Sequence, residues 1–311
     1  MTTIPQSENW FLRRLNVQRR HWKAAVVFVL PAFVMLLGIT IYPLIRTLAL
    51  SFTKLELAVS PRETFVGLDN FVRVLTGDAR FWNAMGNTAF LVVVGVALQV
   101  VLGMTLALLA SEMRRGRTVW VTLFLIPIMI APVVSGFQFR VIFNDTFGPL
   151  NYIIRQLSGG LISPPAWTAT SGTALLTILI TDLWQWTPFM MLLILAGLES
   201  QSQEIIEAAR VDGASYWQTL WGVRIPLLLP VLIIGVLIRV MDTFKTFDLV
   251  VLLTSGGPGS SSETIAYYTY LNGFKFFSMG YTAAMAFIQL IVIIVVSRVF
   301  LSIQKRQRGA D

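Results

Sequence analysis

The chain reads as an all-α polytopic membrane protein with six transmembrane helices and one folded loop between the fourth and the fifth. Three observations predict this. Hydrophobic residues fill 55% of the 311 positions and charged residues only 13%, about half the charged share of an average soluble domain. Six apolar runs, at 24–45, 87–110, 119–143, 173–198, 226–253 and 281–303, each reach the roughly twenty residues a helix needs to cross a bilayer. Lys and Arg are also unevenly shared. Segments 1–23, 111–118, 199–225 and 304–311 hold 13 in 66 residues, whereas 46–86, 144–172 and 254–280 hold 7 in 97. The first set is therefore expected in the cytoplasm together with both termini. A membrane barrel would show short alternating segments instead.

Composition also narrows the function. The net charge of +8 clusters beside apolar runs, which fits control of topology better than nucleic-acid binding. The absence of cysteine excludes disulfides, thiolate metal sites and a cysteine nucleophile. The single histidine, His21, lies in the basic arm 1–23 and reads as a membrane-surface residue rather than a ligand or catalyst.

In chain order, the arm 1–23 leads into an apolar run from Ala24 to Ile45 with no small-residue cleavage pattern, so it reads as a retained anchor. The six-helix transmembrane body is expected over 24–303, and 304–311 forms a short tail. Pro31, Pro127, Pro132 and Pro188 fall inside spans, where neighbouring helices can satisfy the freed carbonyls. Segment 46–86 is the exception among the outer loops, since its five basic residues are set against Glu56, Glu63, Asp69 and Asp78. It contains an Asp/Asn start followed by helically spaced apolar residues from Phe65. Segment 144–172 is turn-rich around a short Tyr152–Leu157 helix, and Gly256-Gly-Pro-Gly259 gives the third outer loop its turns. That glycine run lacks the GK[ST] ending of a phosphate-binding loop.

The loop 199–225 is the most informative stretch. Glu204, Glu207 and Arg210 share a helix face, Gly213 permits a tight turn, and Trp217 and Trp221 form an i, i+4 ridge on a second short helix. Pro226 and Pro230 mark the return to the membrane. The expected shape is helix, glycine turn, helix, which serves either as a surface hairpin or as a rigid knob for a partner's groove.

Glu207-Ala208-Ala209, Gly213-Ala214 and Ile225-Pro226 resemble the EAA loop of ABC importer permeases. Gly67-Leu-Asp-Asn-Phe71, Phe81-Trp82, Asn87-Thr88, Phe147-Gly148 and Leu253-Thr-Ser-Gly-Gly-Pro258 resemble the carbohydrate-uptake branch of maltose- and glycerol-phosphate-type permeases. Val223 departs from the isoleucine common there. The resemblance covers almost the whole chain and implies the type I ABC importer permease fold in a bacterial inner membrane. It implies that Glu207, Ala208, Ala209, Asp212, Gly213, Ala214 and Trp217 couple to an ATPase. The implied partners are a second homologous permease forming a heterodimer, two cytoplasmic ATP-binding subunits, and a periplasmic or extracellular solute-binding protein. No cofactor is expected on this chain, with ATP and Mg on the partner ATPase, and no Walker motif occurs in it.

Ionisable groups inside spans are costly and point to function. Run 226–253 holds Arg239, Asp242, Lys245 and Asp248 at intervals of three with alternating sign. They can pair along one helix, as a salt-bridged stripe or as substrate contacts. Thr243 and Thr246 offer hydroxyls between them, and Trp184-Gln-Trp-Thr-Pro-Phe189 adds aromatics and a carboxamide, chemistry suited to a sugar. Motif alignment with the maltose-type permeases implies sugar-contacting positions at Gln185, Trp186, Phe189, Arg239, Asp242, Thr243 and Thr246. Arg239 there hints at an anionic or oxidised sugar derivative. The expected function is the permease subunit of a binding-protein-dependent, ATP-driven importer of a sugar or sugar derivative, working by alternating access and doing no chemistry itself. A secondary transporter would need internal repeats, an integral-membrane enzyme a cluster of acids or histidines, and an ABC permease for another solute a different pocket.

Overall fold

A computed structural model describes residues 26–113 and 115–308. The expectations for the arm 1–23, for His21, for the first residues of span 24–45 and for the end of the tail fall outside these residues.

Helix α1 (Val26–Ser51) leads to a short antiparallel hairpin, β1 (Thr53–Glu56) and β2 (Ser60–Phe65), in which Thr53 pairs with Phe65. The hairpin was not legible in the sequence, because Ser60–Phe65 lacks the alternation of a half-buried strand and is exposed from Pro61 to Phe65. Helix α2 (Asp69–Val72) follows, as the Asp/Asn start predicts. Helix α3 (Ala79–Glu112) runs for 34 residues and begins eight residues before the apolar run at 87. Its start is set by Asp78, whose side chain accepts the Phe81 N–H at 2.9 Å, a standard N-cap.

Run 119–143 is not one helix. It divides into α4 (Arg117–Met129) and α5 (Pro132–Ile142), bent by 94°. Pro132 disfavours helical backbone at Ala131, which is extended with ψ 139°. Among the described residues, counting this pair as one span gives the six expected; counted separately, five helices are long and apolar enough to cross a membrane. Helix α6 (Pro149–Leu157) matches the predicted short helix, and α7 (Ser171–Glu199) passes Pro188 unbroken. Helix α8 (Gln203–Val211) and its turn lead into α9 (Tyr216–Thr243). Helix α9 starts ten residues before Pro226 and ends ten before Leu253, so run 226–253 is also divided. Its remainder forms α10 (Asp248–Leu253). Helix α11 (Ile265–Tyr270) precedes the last span, α12 (Met279–Lys305).

The centre of the bundle is the pair α3 and α7, packed along most of their length. Their backbones approach so closely at Gly103 that a Cβ there would lie 2.8 Å from Met190 Cβ and 2.9 Å from the Met191 amide nitrogen. Small residues at such crossings are how membrane helices gain contact without a hydrophobic drive. Three apolar clusters cover this pair. One joins α3, α9 and α12 around Val240 and Met285, one joins α5, α7 and α10 around Ile178 and Val250, and one joins α3, α7 and α9 around Met191 and Leu228. The hairpin and the loop 254–264 lie at one end of the bundle, and α8 lies at the other.

Candidate functional site: a pocket between two broken helices

Irregular backbone at membrane depth is tolerated only where protein buries it or where it lines a cavity. Here both breaks, Ile130–Ala131 and Phe244–Phe247, border the same pocket of about 180 Å³. The freed Ile130 carbonyl accepts the Gln185 Nε2 hydrogen at 2.9 Å. The freed Thr246 carbonyl accepts the Thr264 hydroxyl at 2.7 Å. Pro132, Gln185, Trp186, Asp242, Lys245 and Asp248 are among the residues facing the space.

Behind this wall sits Arg239, 1% exposed. Its Nε donates to Gln99 Oε1 at 2.9 Å, and Nη2 donates to both Asp182 oxygens at 3.1 and 3.0 Å. Nη1 donates to Asp242 Oδ2 at 2.9 Å and Nη2 to Thr243 Oγ1 at 3.2 Å. Gln99 Nε2 closes the ring onto Asp182 Oδ2 at 2.7 Å. The guanidinium also lies 4.5 Å from the Trp186 ring centroid, within cation–π range. One cation thus ties α3, α7 and α9 together and fixes two pocket residues, Asp242 and Trp186. Such a group survives in a membrane interior because each of its three nitrogens has a partner and two carboxylates balance its charge.

The sequence-predicted contact residues therefore divide. Gln185, Trp186, Asp242 and Thr246 line the pocket. Arg239 and Thr243 are buried behind it, Thr243 also donating to the Arg239 carbonyl at 2.8 Å. Phe189 supports the wall edge-on, its ring centroid 6.4 Å from that of Trp186 at 83°. Of the two pairs expected along one helix, Arg239–Asp242 forms at 2.9 Å and Lys245–Asp248 does not. The break after Thr243 separates Asp248, and Lys245 turns back to Asp242 at 3.3 Å. Asp182 and Gln99 escaped the sequence reading. Asp182 is the lone ionisable residue in run 173–198, and the rule applied to 226–253 finds it equally well.

At the other end, the loop 199–225 has the expected start. Helix α8 is anchored by buried Ile206 and closes through Ala214 N–H to the Ala209 carbonyl at 3.0 Å, with Gly213 at φ +81°. This left-handed C-terminal residue is what glycine supplies most cheaply. A reciprocal capping box between Ser215 and Gln218 then starts α9. Glu204, Glu207, Ala208 and Asp212 are exposed, and Val211 is 87% exposed. The second helix is not short: α9 continues through a π-helical stretch at Leu220–Arg224, and Pro226 lies inside it. Trp217 and Trp221 do share a ridge, but it faces an apolar groove of about 630 Å³ against Val101, Met104 and Leu108 of α3. Trp217 thus lines this groove together with Tyr216.

A polar cluster closes the hairpin end. Asp78 accepts hydrogen bonds from the Tyr268 hydroxyl at 2.8 Å and from the Tyr281 hydroxyl. Arg80 forms a two-point ion pair with buried Glu263, Nε to Oε2 at 2.8 Å. Asn87 Nδ2 donates to the Glu263 carbonyl at 2.9 Å. These bonds fix loop 254–264 to the start of α3.

Residues 99–309 match the family described as binding-protein-dependent transport system inner membrane component. The chain is 32% identical over 293 residues to the trehalose/maltose transport system permease protein of Thermococcus litoralis, covering 94% of this chain and 97% of that one. It is 31% identical over 304 residues to the trehalose transport system permease protein of Mycobacterium tuberculosis, covering 97% and 96%. It is 31% identical over 280 residues to the sulfoquinovosyl glycerol transport system permease protein of Agrobacterium fabrum, covering 90% and 89%. The fold also matches a chain of a bacterial ABC transporter involved in the import of alginate, with TM-score 0.81 at 20% identity over 94% of this chain and 99% of that one. The chain belongs to the family of inner membrane components of binding-protein-dependent transport systems, with the permease fold of ABC importers.

Proposed function

We propose that this chain forms the sugar path of an ABC importer and that the pocket between the two broken helices is where the sugar passes. The observation that carries this reading is the pocket itself. Two interrupted helices, an aromatic face at Trp186, a carboxamide at Gln185 and carboxylates at Asp242 and Asp248 converge on one space inside an apolar bundle. Broken helices near the membrane midplane are a recurrent way to build a solute site, and an aromatic face with hydroxyl-matching polar groups suits a pyranose. The names of the relatives, transporters of trehalose, maltose and sulfoquinovosyl glycerol, support the same class.

ATP hydrolysis belongs to a separate subunit, and ATP and Mg²⁺ are assigned there. The full assembly in this reading contains a second permease, two ATP-binding subunits and an extracytoplasmic binding protein. The α8 end faces the cytoplasm, and Glu207, Ala208, Asp212 and exposed Val211 form the knob that enters the ATP-binding subunit. The hairpin end faces the binding protein. Because α8 joins α7 to α9, movement of the knob displaces the two helices that Arg239 ties at the pocket.

The test is uptake of labelled sugar by proteoliposomes holding the whole assembly and its binding protein. Trp186→Ala is expected to lower kcat/KM about tenfold or more, the equivalent of about 1.4 kcal/mol. Lys275→Ala, at an exposed site remote from the pocket, should not. Equal effects of the two would reject the pocket.

A further inference from the structure

Resting on the sugar reading of this pocket, we infer that the solute is a sugar without an acid group, and that uronates, sulfonates and phosphates are excluded by charge. Three carboxylates (Asp182, Asp242 and Asp248) and two cations (Arg239 and Lys245) stand in and directly behind the pocket. Both cations already have carboxylate partners. Arg239 spends its donors on Asp182, Asp242, Gln99 and Thr243, and Lys245 is shared with Asp242 at 3.3 Å. The unmatched charge is negative: among the described residues Asp248 has no ion-pair partner within 4.0 Å, although it lines the space.

The unmatched hydrogen-bonding capacity has the same sense. Gln185 is 1% exposed, and its Nε2 is committed to the Ile130 carbonyl, which can only accept. That bond fixes the amide orientation and leaves Oε1 buried without a partner. An unpaired buried acceptor carries a penalty of about 1–3 kcal/mol until a donor arrives. Sugar hydroxyls donate. A carboxylate, sulfonate or phosphate presents only acceptors to Gln185 Oε1 and Asp248, and adds negative charge to a site already in excess of it. A basic residue at position 239 suggests an anion site from sequence alone, and its partners in space cancel that suggestion.

The experiment compares initial uptake rates of neutral sugars (trehalose, maltose and glucosyl glycerol) with acid-bearing ones (cellobiouronic acid and sulfoquinovosyl glycerol). It uses the complete assembly with its binding protein in proteoliposomes. Saturable uptake of at least one neutral sugar, at ten times or more the efficiency of any acid-bearing one, is expected. Asp248→Lys should raise the ratio of acid-bearing to neutral uptake about tenfold, and Asp248→Asn should move it in the same direction if the lysine variant does not assemble. Preferential uptake of an acid-bearing sugar by the wild type, or an unchanged ratio in both variants, overturns the inference while leaving sugar transport intact. Failure to move any sugar would count against the sugar reading and remove this inference with it.

Discussion

Arg239 and Asp182 meet at 3.0 Å across two helices, α9 and α7, that are joined in sequence by the exposed knob of α8. The pair therefore bridges the same two helices that the knob joins. Its energetic sign is predictable. Removing one partner of a buried pair leaves a bare charge and costs about 3–5 kcal/mol, while replacing both by apolar groups costs far less. Arg239→Met should lower the thermal stability of the purified assembly sharply. Arg239→Met combined with Asp182→Leu should recover part of the loss, as read from unfolding curves of both variants.

Gly103 makes a second stability prediction. A Cβ at this position meets the Met191 backbone nitrogen at 2.9 Å, which no side-chain rotation relieves. Gly103→Ala should destabilise the α3–α7 crossing by about 1–3 kcal/mol, the usual cost of overpacking. Gly86→Ala on the same helix, where nothing lies within 4 Å of the added methyl, should be neutral in the same measurement.

Asp78 predicts a pH dependence. Burial opposes its charge, but hydrogen bonds from Tyr281, the Phe81 N–H and Tyr268 outweigh burial and hold the carboxyl below the usual range. A depressed carboxylate contributes stability above its unfolded value of about 4 and loses it as pH falls through the folded value. Tyr268 behaves oppositely. Burial first, then its bond to Asp78, push it up to about 12, so its contribution is full below about pH 10 and is lost as pH rises toward 12. Asp78→Asn should flatten the acid limb of a stability-against-pH curve below about pH 4.

Topology is open to direct test because the chain has no cysteine. Ala214→Cys should react with an impermeant maleimide only from the cytoplasmic side. Val59→Cys, at the exposed tip of the hairpin, should react only from the opposite side. Labelling of both from one side would overturn the assigned orientation.

The sequence made much of this legible because long apolar runs, charge bias and the Glu207–Ala214 stretch are local signals. What it hid depended on three-dimensional contact. The break at Ile130–Ala131 follows from Pro132, yet Pro188 sits in an unbroken helix, so a proline alone does not say which helix parts. Arg239 was visible as a charge in an apolar run, but its partners are 57 and 140 residues away in Asp182 and Gln99. Trp217 was close in sequence to Gly213, yet the helical phase of α9 turns it toward α3. Spacing put the right residue types near the site, and side-chain pairing decided which of them face the pocket.

In the proposed function the knob is the point where an ATP-binding subunit moves this chain. Gly213 holds φ +81°, a conformation that a β-branched residue resists, so Gly213→Val should distort the Glu207–Ala214 surface while leaving the distant pocket in place. The decisive measurement is sugar uptake together with binding-protein-stimulated ATP hydrolysis in proteoliposomes carrying that variant. Both should fall about tenfold or more, with sugar capture by the binding protein and thermal stability of the permease unchanged. Uptake and stimulated hydrolysis at the wild-type rate would contradict it.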